Sequence, residues 1–455
     1  MAEADMTPGG RGVAWGWAEH VVGLRYEEIP SEVVERAKAI LLHHLAIALS
    51  MGATELARVA LDLIRPDRDG VTVIGQNLRA EPRDAVLANA VIIRSPRMED
   101  NLAPSFCHPG ATLIPVALAV GESRGASGRD LLVALVVGYD LLGRAAGRIA
   151  STDVVGRPSH YVFGVIGTAA VAARLMRLEI DQAAGALAHA SNLAVMAPEG
   201  FQDLQFGLIS RNAMLAADLG RIRAPFPDDA FEGQYGFYAT QLRGVRPSET
   251  ELLGDLGVRF DIMRSMLKSH PCTGLNIIAL ELVRRALREH RLDGAAIRRI
   301  RVTRSLVVKK HPNANRKGPF DVRLGGPSHG YAAGKYIATT SLPFNIANLL
   351  LGREITPATF ENPDASPACA EMDKVEITFQ DYADTRWTEV EIETQDGRRL
   401  KFEGGIENIP VPDMEAFLAR YAVPAIGTEK TERLRAAVEG LDAASDLSTL
   451  SAAIA

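Results

Sequence analysis

The chain has 455 residues, 47% apolar and 23% charged, so it can bury a large core and exceeds the size at which one core keeps growing, which predicts two domains. Fifty basic against 56 acidic residues give a net charge of -6, and the absence of a long basic run argues against a nucleic-acid partner. Three widely spaced cysteines and no long apolar run argue against an iron–sulfur cluster and a membrane span, and predict a cytoplasmic protein.

Helical patterns dominate the first 250 residues. Ser31, which follows Pro30, is a plausible helix N-cap, and apolar residues recur after it at helical spacing as far as Ala48. Alanine-rich segments that would allow close helix packing follow at Gly167–Leu178, Gln182–Leu193 and Asn212–Leu219. These patterns predict an all-helical first region.

The pattern changes after about Phe260. A helix predicted from Leu275 to Glu289 is followed by segments in which β-branched residues recur as they do in strands. The predicted strands are Ile297–Val308, Lys374–Phe379 and Thr388–Glu393. This middle region is therefore predicted to form a separate α+β unit.

Helical patterns return near the C-terminus, at Pro412–Tyr421 and Thr431–Glu439. Between the last predicted strand and these helices, Thr394–Gly405 contains acidic residues and glycines. We interpret this stretch as a turn that marks a domain boundary.

The stretch from Asn89 to Gly110 places Asp100 and His108 on one loop, ahead of an apolar helix. Proton abstraction beside a carboxylate requires a base with a pKa near neutral, and a nearby carboxylate can tune histidine into that range. The loop therefore predicts an acid and a base that act together. The alternative is that His108, which precedes Pro109, only caps the following helix.

Lys268 and His270 lie in a second polar stretch, at the predicted start of the α+β unit. Clefts between domains often hold ligands, and a lysine can bind a carboxylate or donate a proton to a leaving group. The alternative is that Lys268 is an exposed residue at a hinge. Cys272 is interpreted as a small buried apolar residue.

Three other histidines differ in their surroundings. His160 precedes a glycine-containing helix start, where the N-terminus of a helix would favour a bound carboxylate. His43 and His44 lie within a predicted helix and, being adjacent, face different directions. They are therefore interpreted as packing or surface residues and not as a metal-binding pair.

The order of several motifs resembles the MmgE/PrpD family nearly from end to end. The stretch from Ala88 to Gly110 resembles a family loop in which an aspartate is followed eight residues later by His-Pro. Further segments that resemble family signatures are Gly138-Tyr139-Asp140 with Arg144, Phe163–Gly167 with its alanine-rich helix, and Phe231–Phe237.

The resemblance implies a mainly α fold. A large all-helical domain would comprise residues 1–262 and 405–455, and a smaller α+β lid domain, residues 263–404, would be inserted between them. The resemblance also implies a homodimer that needs no metal or other cofactor. Asp100, His108 and Lys268 stand at positions similar to polar residues of the family's active site, and His160 is a fourth candidate there.

Several positions depart from the family pattern. Pro158 stands where the family commonly has a histidine, Gln202 at the usual lysine and Phe344 at the usual tyrosine. Arg97 and Glu99 also replace acidic family positions. The residues predicted to contact substrate are Arg97, Gln202, His270 and Phe344, and the changes among them predict a substrate with fewer or differently placed carboxylates.

The resemblance implies a lyase that acts on a small polycarboxylate by proton transfer beside a carboxylate. Dehydration of a 2-methylcitrate-like acid is the first expectation. Decarboxylation or isomerisation of an aconitate-like acid would follow from the same carbanion-like state, and these alternatives stay open. A catalytically silent binding protein of the same fold is the alternative from another class.

Overall fold

The computed structural model describes residues 11–103, 105, 107–147, 159–194, 202–242, 244–309, 312–320, 333–382, 387–405 and 411–455. The chain divides into two compact units. The first comprises Met1–Leu267 together with Asp413–Ala455, and the second comprises Lys268–Pro412. Most of the described residues are helical, which confirms the predicted mainly α class.

Helices form most of the first unit. They are α1 (Val13–Gly23), α2 (Ser31–Met51), α3 (Glu55–Asp62), α4 (Pro82–Arg94), α5 (Gly110–Arg124), α6 (Gly128–Ala146), α7 (Ser159–Leu175), α8 (Ile180–Asn192), α9 (Gln202–Arg221), α10 (Phe237–Gln241) and α11 (Glu249–Leu253). Helices α5 and α6 are buried on nearly all sides, as expected for apolar sequences without a polar face. They form the centre of this unit.

Local signals in the sequence separate the two central helices. Helix α5 ends at Gly125, whose φ of 61° is the left-handed conformation that glycine adopts readily. Helix α6 then begins with a capping box, in which Ser127 and Asp130 each accept a hydrogen bond from the other's backbone N–H. The short turn between these signals lets α6 reverse direction and pack beside α5.

The first region is not entirely helical, so the all-helical prediction is wrong there. Strands β1 (Pro66–Val73) and β2 (Leu78–Ala80) form an antiparallel hairpin. Gly75 and Asn77 adopt positive φ angles in its turn. The hydrophobic pattern of the sequence did not predict this hairpin. Strand β1 begins with four exposed residues and ends with four buried ones, which is not the alternation typical of strands.

A second pair of short strands fixes the loop between α4 and α5. Strand β3 (Asn101–Leu102) pairs antiparallel with β4 (Ser265–Met266), although the two are more than 160 residues apart in the chain. The backbone N–H of Leu102 also bonds to the carbonyl of Cys107, which closes the loop on itself at 2.8 Å. This pairing holds the polar residues before and after β3 in place.

The second unit combines one sheet with several helices. Its strands β5 (Ile297–Ser305), β6 (Val375–Gln380), β7 (Thr388–Thr394) and β8 (Arg399–Gly404) are ordered β6-β5-β7-β8. Only the β5–β6 pair is parallel among these three pairings. Its helices are α12 (Ile277–Glu289), α13 (Leu306–Lys309), α14 (Ala333–Thr340), α15 (Leu342–Leu350) and α16 (Ala368–Glu371).

Strand β8 corrects one sequence interpretation. The stretch Thr394–Gly405 was expected to be a boundary turn, but it contains the edge strand of this sheet. Gly397, with a φ of 83°, lies in the short turn that joins β7 to β8. Three of the six residues of β8 are exposed, and the other three include none of the β-branched residues that mark the other strands.

The C-terminal helices α17 (Met414–Ile426), α18 (Thr428–Glu439) and α19 (Ser448–Ile454) belong to the first unit. Helix α17 packs on α2, and its Phe417 ring lies 4.6 Å from the ring of His43. Among the described residues, no single helix is long and apolar enough to cross a membrane; only α2 and α3 taken together are, and they are bent by 92°.

Candidate active site

Asp100 is the centre of a buried hydrogen-bond cluster in the first unit. Its carboxylate accepts hydrogen bonds from the hydroxyls of Tyr139 and Ser265, both at 2.7 Å. The backbone N–H of Gly110 donates at 3.0 Å, and His44 Nε2 lies 3.2 Å away. These partners come from α6, β4, α5 and α2. The cluster therefore ties four elements to the loop that carries Asp100.

This environment keeps the Asp100 carboxylate ionised. Burial alone would raise the pKa of Asp100, but the hydrogen bond and charge of His44, followed by the bonds from Ser265 and Tyr139, lower the pKa to about 2. The side chain has no exposed surface. A buried group that stays charged at neutral pH is poorly suited to exchange protons with a substrate, so the geometry favours a structural role for Asp100 over the predicted catalytic one.

One contact of the His108 ring identifies its tautomer. Its Nδ1 lies 2.8 Å from the backbone carbonyl oxygen of Asp100. A carbonyl oxygen can only accept, so Nδ1 carries the proton and neutral His108 has its lone pair on Nε2. Glu99 Oε1 also lies 3.3 Å from Nδ1, and the His108 side chain is 17% exposed, whereas that of Glu99 is fully buried. His108 is thus oriented by buried groups and still accessible.

His160 holds the backbone of His108 and stacks on an aromatic ring. Its Nδ1 accepts a hydrogen bond from the backbone N–H of His108 at 3.1 Å, and its Nε2 lies 3.4 Å from Thr112 Oγ1. The ring stacks on Phe206 with centroids 4.4 Å apart. A Cβ at Gly164 would lie 2.6 Å from the imidazole, so this stacked position requires glycine one turn along α7.

The same contacts decide the charge of His160. Burial, and then the nearby charges of His108 and Arg94, hold the pKa of His160 well below its usual value. A neutral imidazole with both nitrogens directed at protein atoms is suited to positioning. These contacts favour a positioning role for His160 over the predicted catalytic one.

Four charged side chains form a series of ion pairs beside His108. Arg94 Nη1 lies 2.5 Å from Glu99 Oε1, and Arg94 Nε lies 3.4 Å from Asp203 Oδ1. Arg97 Nη2 lies 3.1 Å from the same Asp203 oxygen. The guanidinium of Arg94 also sits 4.7 Å from the centroid of the Phe206 ring. Arg97, predicted to contact substrate, is therefore engaged with a carboxylate of the protein.

Lys268 and His270 belong to the second unit and are both buried. His270 Nδ1 lies 3.2 Å from Ser269 Oγ and 3.9 Å from Glu281 Oε1. Ser269 donates to Glu281 at 2.5 Å, so these three side chains form one polar group at the start of that unit. Burial of Lys268 argues against the exposed-hinge interpretation.

Two predicted substrate contacts have different outcomes. Gln202 is the first residue of α9, and its side chain lies outside the described residues, as does Pro158. Phe344 is fully buried in an apolar cluster, with ring centroids 5.0 Å from Phe320 and 6.1 Å from Phe360. The ring therefore packs in the apolar core of the second unit, which favours a core role for Phe344 over the predicted substrate contact.

Sequence reasoning missed several members of the cluster. His44 was interpreted as a packing or surface residue, but its Nδ1 donates to the carbonyl of Ile40 at 2.7 Å and its Nε2 faces Asp100. A Cβ at Gly110 would lie 2.2 Å from that Nε2, which accounts for the glycine after Pro109. The signal available for Tyr139 was its place in the Gly-Tyr-Asp motif, and Ser265 carried no signal.

No group of three or more His, Cys, Asp or Glu side chains is arranged to hold a metal ion within the described ranges. Cys107 and Cys272 are buried, as was expected for Cys272, and burial raises the pKa of Cys107 to about 12. The thiol of Cys107 therefore stays protonated at neutral pH.

Comparison with known proteins places these residues in a family. The sequence profile of the MmgE/PrpD N-terminal domain matches residues 17–250, about half of the chain. The chain belongs to the MmgE/PrpD family. The matched range contains Glu99, Asp100, His108 and His160, and it ends before Ser265 and Lys268.

Named relatives come from filamentous fungi. A cis-aconitate decarboxylase-like protein, oryM, from Aspergillus oryzae is 30% identical over 60% of this chain and 61% of its own length. A cis-aconitate decarboxylase from Aspergillus terreus is 24% identical over 80% of this chain and 81% of its own length. A second A. terreus protein of that name is 25% identical over 57% of this chain and 56% of its own length. The match thus spans less than two thirds of the first and third relatives.

Proposed function

We propose that this MmgE/PrpD protein is a lyase that acts on a small polycarboxylate, with His108 Nε2 as the group that transfers the proton. One observation carries the proposal: the Asp100 carbonyl fixes the tautomer of His108 at 2.8 Å, while the ring retains exposed surface. An oriented imidazole with exposed surface is suited to general acid–base catalysis near neutral pH.

Decarboxylation of an aconitate-like acid is the first reaction to test, because the named relatives are cis-aconitate decarboxylases or resemble them. In such a reaction one carboxylate leaves as carbon dioxide, and the electron pair of the broken C–C bond passes to carbon. That carbon then takes one proton. The imidazolium form of His108 would supply it from Nε2, and the neutral ring would be reprotonated by solvent.

In dehydration, the first expectation from the sequence, the same residue would accept a proton instead of donating one. Neutral His108 would take a proton from the carbon beside a carboxylate, and the electron pair of that C–H bond would form a C=C bond to the next carbon. The hydroxyl on that next carbon would take a proton from solvent and leave as water. The two reactions therefore require opposite starting forms of one imidazole. A substrate contact by Lys268 or His270 remains a proposal from the sequence, and the homodimer remains one from the family resemblance.

The pH dependence of turnover distinguishes the two reactions. If His108 acts as an acid, kcat falls as the pH rises through the His108 titration midpoint. If it acts as a base, kcat falls as the pH decreases through that midpoint. The measurement uses proton NMR in deuterated buffer with cis-aconitate, citrate and 2-methylcitrate as separate substrates, which also detects deuterium uptake without net reaction.

Replacement of His108 tests the proposal as a whole. His108→Ala should lower kcat by about 10²–10⁴-fold, the usual range for loss of a general acid or base. His290→Ala is a matched control, since His290 is an exposed histidine at the end of α12. Equal activity of His108→Ala and wild type would sink the assignment of His108. Folded wild-type protein that neither binds nor converts any of the three acids would contradict the polycarboxylate lyase itself.

A further inference from the structure

Two adjacent acidic residues precede the loop of His108, and the structure gives them different partners. The Asp100 carboxylate is occupied by groups from α2, α5, α6 and β4, none of which is His108. Glu99 Oε1 lies 3.3 Å from His108 Nδ1 and 2.5 Å from Arg94 Nη1. Of these two carboxylates, that of Glu99 is the one that approaches the imidazole.

We propose that Glu99 is the positioning residue of His108: its carboxylate helps to keep the proton on Nδ1 and stabilises the imidazolium that exists whenever Nε2 is protonated. This inference rests on the proposed function, because it concerns the histidine assigned to proton transfer. Its physical basis is independent of substrate identity. An anion next to an imidazole favours the charged form, and in a buried site that attraction is only weakly screened.

The ion pairs next to Glu99 limit its effect on the protonation of His108. Arg94 shares the Glu99 carboxylate with His108 and also contacts Asp203, which in turn holds Arg97. The ion pairs described here join two arginines to two carboxylates. Protonation of His108 adds one positive charge beside Glu99, next to the place where a polycarboxylate would bring negative charge. The carboxylate of Glu99 therefore lies next to the added positive charge and stabilises it.

Among the described residues, other titratable and charged groups lie close to His108 or to its partners. The Asp100 carbonyl and His160 contact His108 directly, Arg94 and Asp203 continue the ion pairs of Glu99, and His44 contacts Asp100. Burial holds the pKa of His160 well below its usual value, so that ring stays neutral in the range where imidazoles ordinarily titrate. Among the carboxylates described near His108, removal of Glu99 should move its titration most, because Glu99 Oε1 lies 3.3 Å from Nδ1.

The experiment needs no substrate. Histidine-selective 15N labelling and long-range proton–nitrogen correlation spectra report the tautomer and titration midpoint of each imidazole, and His108→Gln identifies the signal of His108. Glu99→Gln removes the charge and keeps the size of the side chain. Glu122→Gln is the matched control, since Glu122 pairs with Arg79 at 2.8 Å and accepts a hydrogen bond from the backbone N–H of Thr72.

Glu99→Gln should lower the titration midpoint of His108 by about one pH unit, a tenfold change in proton affinity. Glu122→Gln should leave it where it is in the wild type. Glu99→Asp keeps the charge but holds it further from Nδ1, so a smaller fall is expected. This variant carries the test if Glu99→Gln does not fold. A midpoint unchanged in the folded Glu99 variants, or shifted equally by Glu122→Gln, overturns the proposal.

A second measurement separates this inference from the proposed function. The pH limb of kcat assigned to His108 should move with the NMR midpoint in Glu99→Gln, whichever reaction is found. A shift of the NMR midpoint without turnover of any polycarboxylate supports the role of Glu99 and contradicts the lyase. Turnover that depends on His108 in a Glu99→Gln variant with an unmoved midpoint supports the lyase and contradicts the role of Glu99.

Discussion

The way Asp100 is held predicts a specific loss of stability in acid. Its pKa in the folded protein is about 2 against a reference of 3.8, so the unfolded chain binds the proton more tightly. The difference of about 1.8 pH units (3.8 − 2) corresponds to about 2 kcal/mol. Because the folded pKa is lowered, this contribution is present above about pH 4 and is lost as the pH falls toward about 2.

Asp100→Asn removes the titrating group while keeping its size. The free energy of unfolding of the variant should be lower than that of wild type, and the gap should narrow by about 1 kcal/mol between about pH 6 and about pH 3. Urea denaturation followed by tryptophan fluorescence measures this for the first unit, because Trp15 and Trp17 lie in α1. Both proteins carry Trp387→Phe, so that the second unit adds no signal. A gap that is constant over this pH range would refute the reasoning.

Three further predictions concern stability. Tyr139→Phe should cost about 2 kcal/mol, because its hydroxyl donates to a charged acceptor, and Tyr238→Phe, whose acceptor is a carbonyl, about 1 kcal/mol; urea denaturation compares them. Asn101→Leu should raise the thermal unfolding midpoint by a few degrees, since neither polar atom of this buried amide has a partner among the described residues. Phe344→Tyr should destabilise the second unit by about 1–3 kcal/mol and leave KM unchanged, whereas an altered KM would restore Phe344 as a substrate contact.

Regular elements were predictable where the signal is local. The helix expected after Pro30 extends from Ser31 to Met51, and the strand expected from Thr388 ends one residue later than predicted, at Thr394. Helical periodicity and runs of β-branched residues involve near neighbours in the chain. Both patterns can therefore be recognised in the sequence without knowledge of the tertiary structure. Strand β8 was missed because an exposed edge strand places few constraints on its side chains.

The candidate site was only partly predictable, because its partners are distant in sequence. Motif spacing identified Asp100 and His108 on one loop, but the groups that hold Asp100 come from residues as far away as Ser265. No local pattern distinguishes the His44 that faces Asp100 from the adjacent His43, which packs on Phe417. Which member of an adjacent pair faces the site depends on tertiary packing.

The same ambiguity affects the adjacent acidic residues Glu99 and Asp100, which precede the loop of His108. Glu99 and Asp100 are both acidic and both buried, yet one contacts the imidazole of His108 through its carboxylate and the other through its backbone carbonyl. Spacing alone favoured the aspartate, because that position matches the family motif. The two carboxylates differ in their partners. Asp100 is surrounded by hydrogen-bond donors, whereas Glu99 forms an ion pair with Arg94.

The departures of this chain from its family are best understood through the ion pairs near Glu99. Arg97 stands at a position that is acidic in the family pattern, and Asp203 follows Gln202, which stands at the usual lysine. In the structure Arg97 and Asp203 pair with each other at 3.1 Å. The positive charge of Arg97 is thus offset by the carboxylate of Asp203. A charge that is neutralised in this way stabilises the wall of the site but offers little to a substrate carboxylate, so the cation that binds substrate must be sought outside this pair.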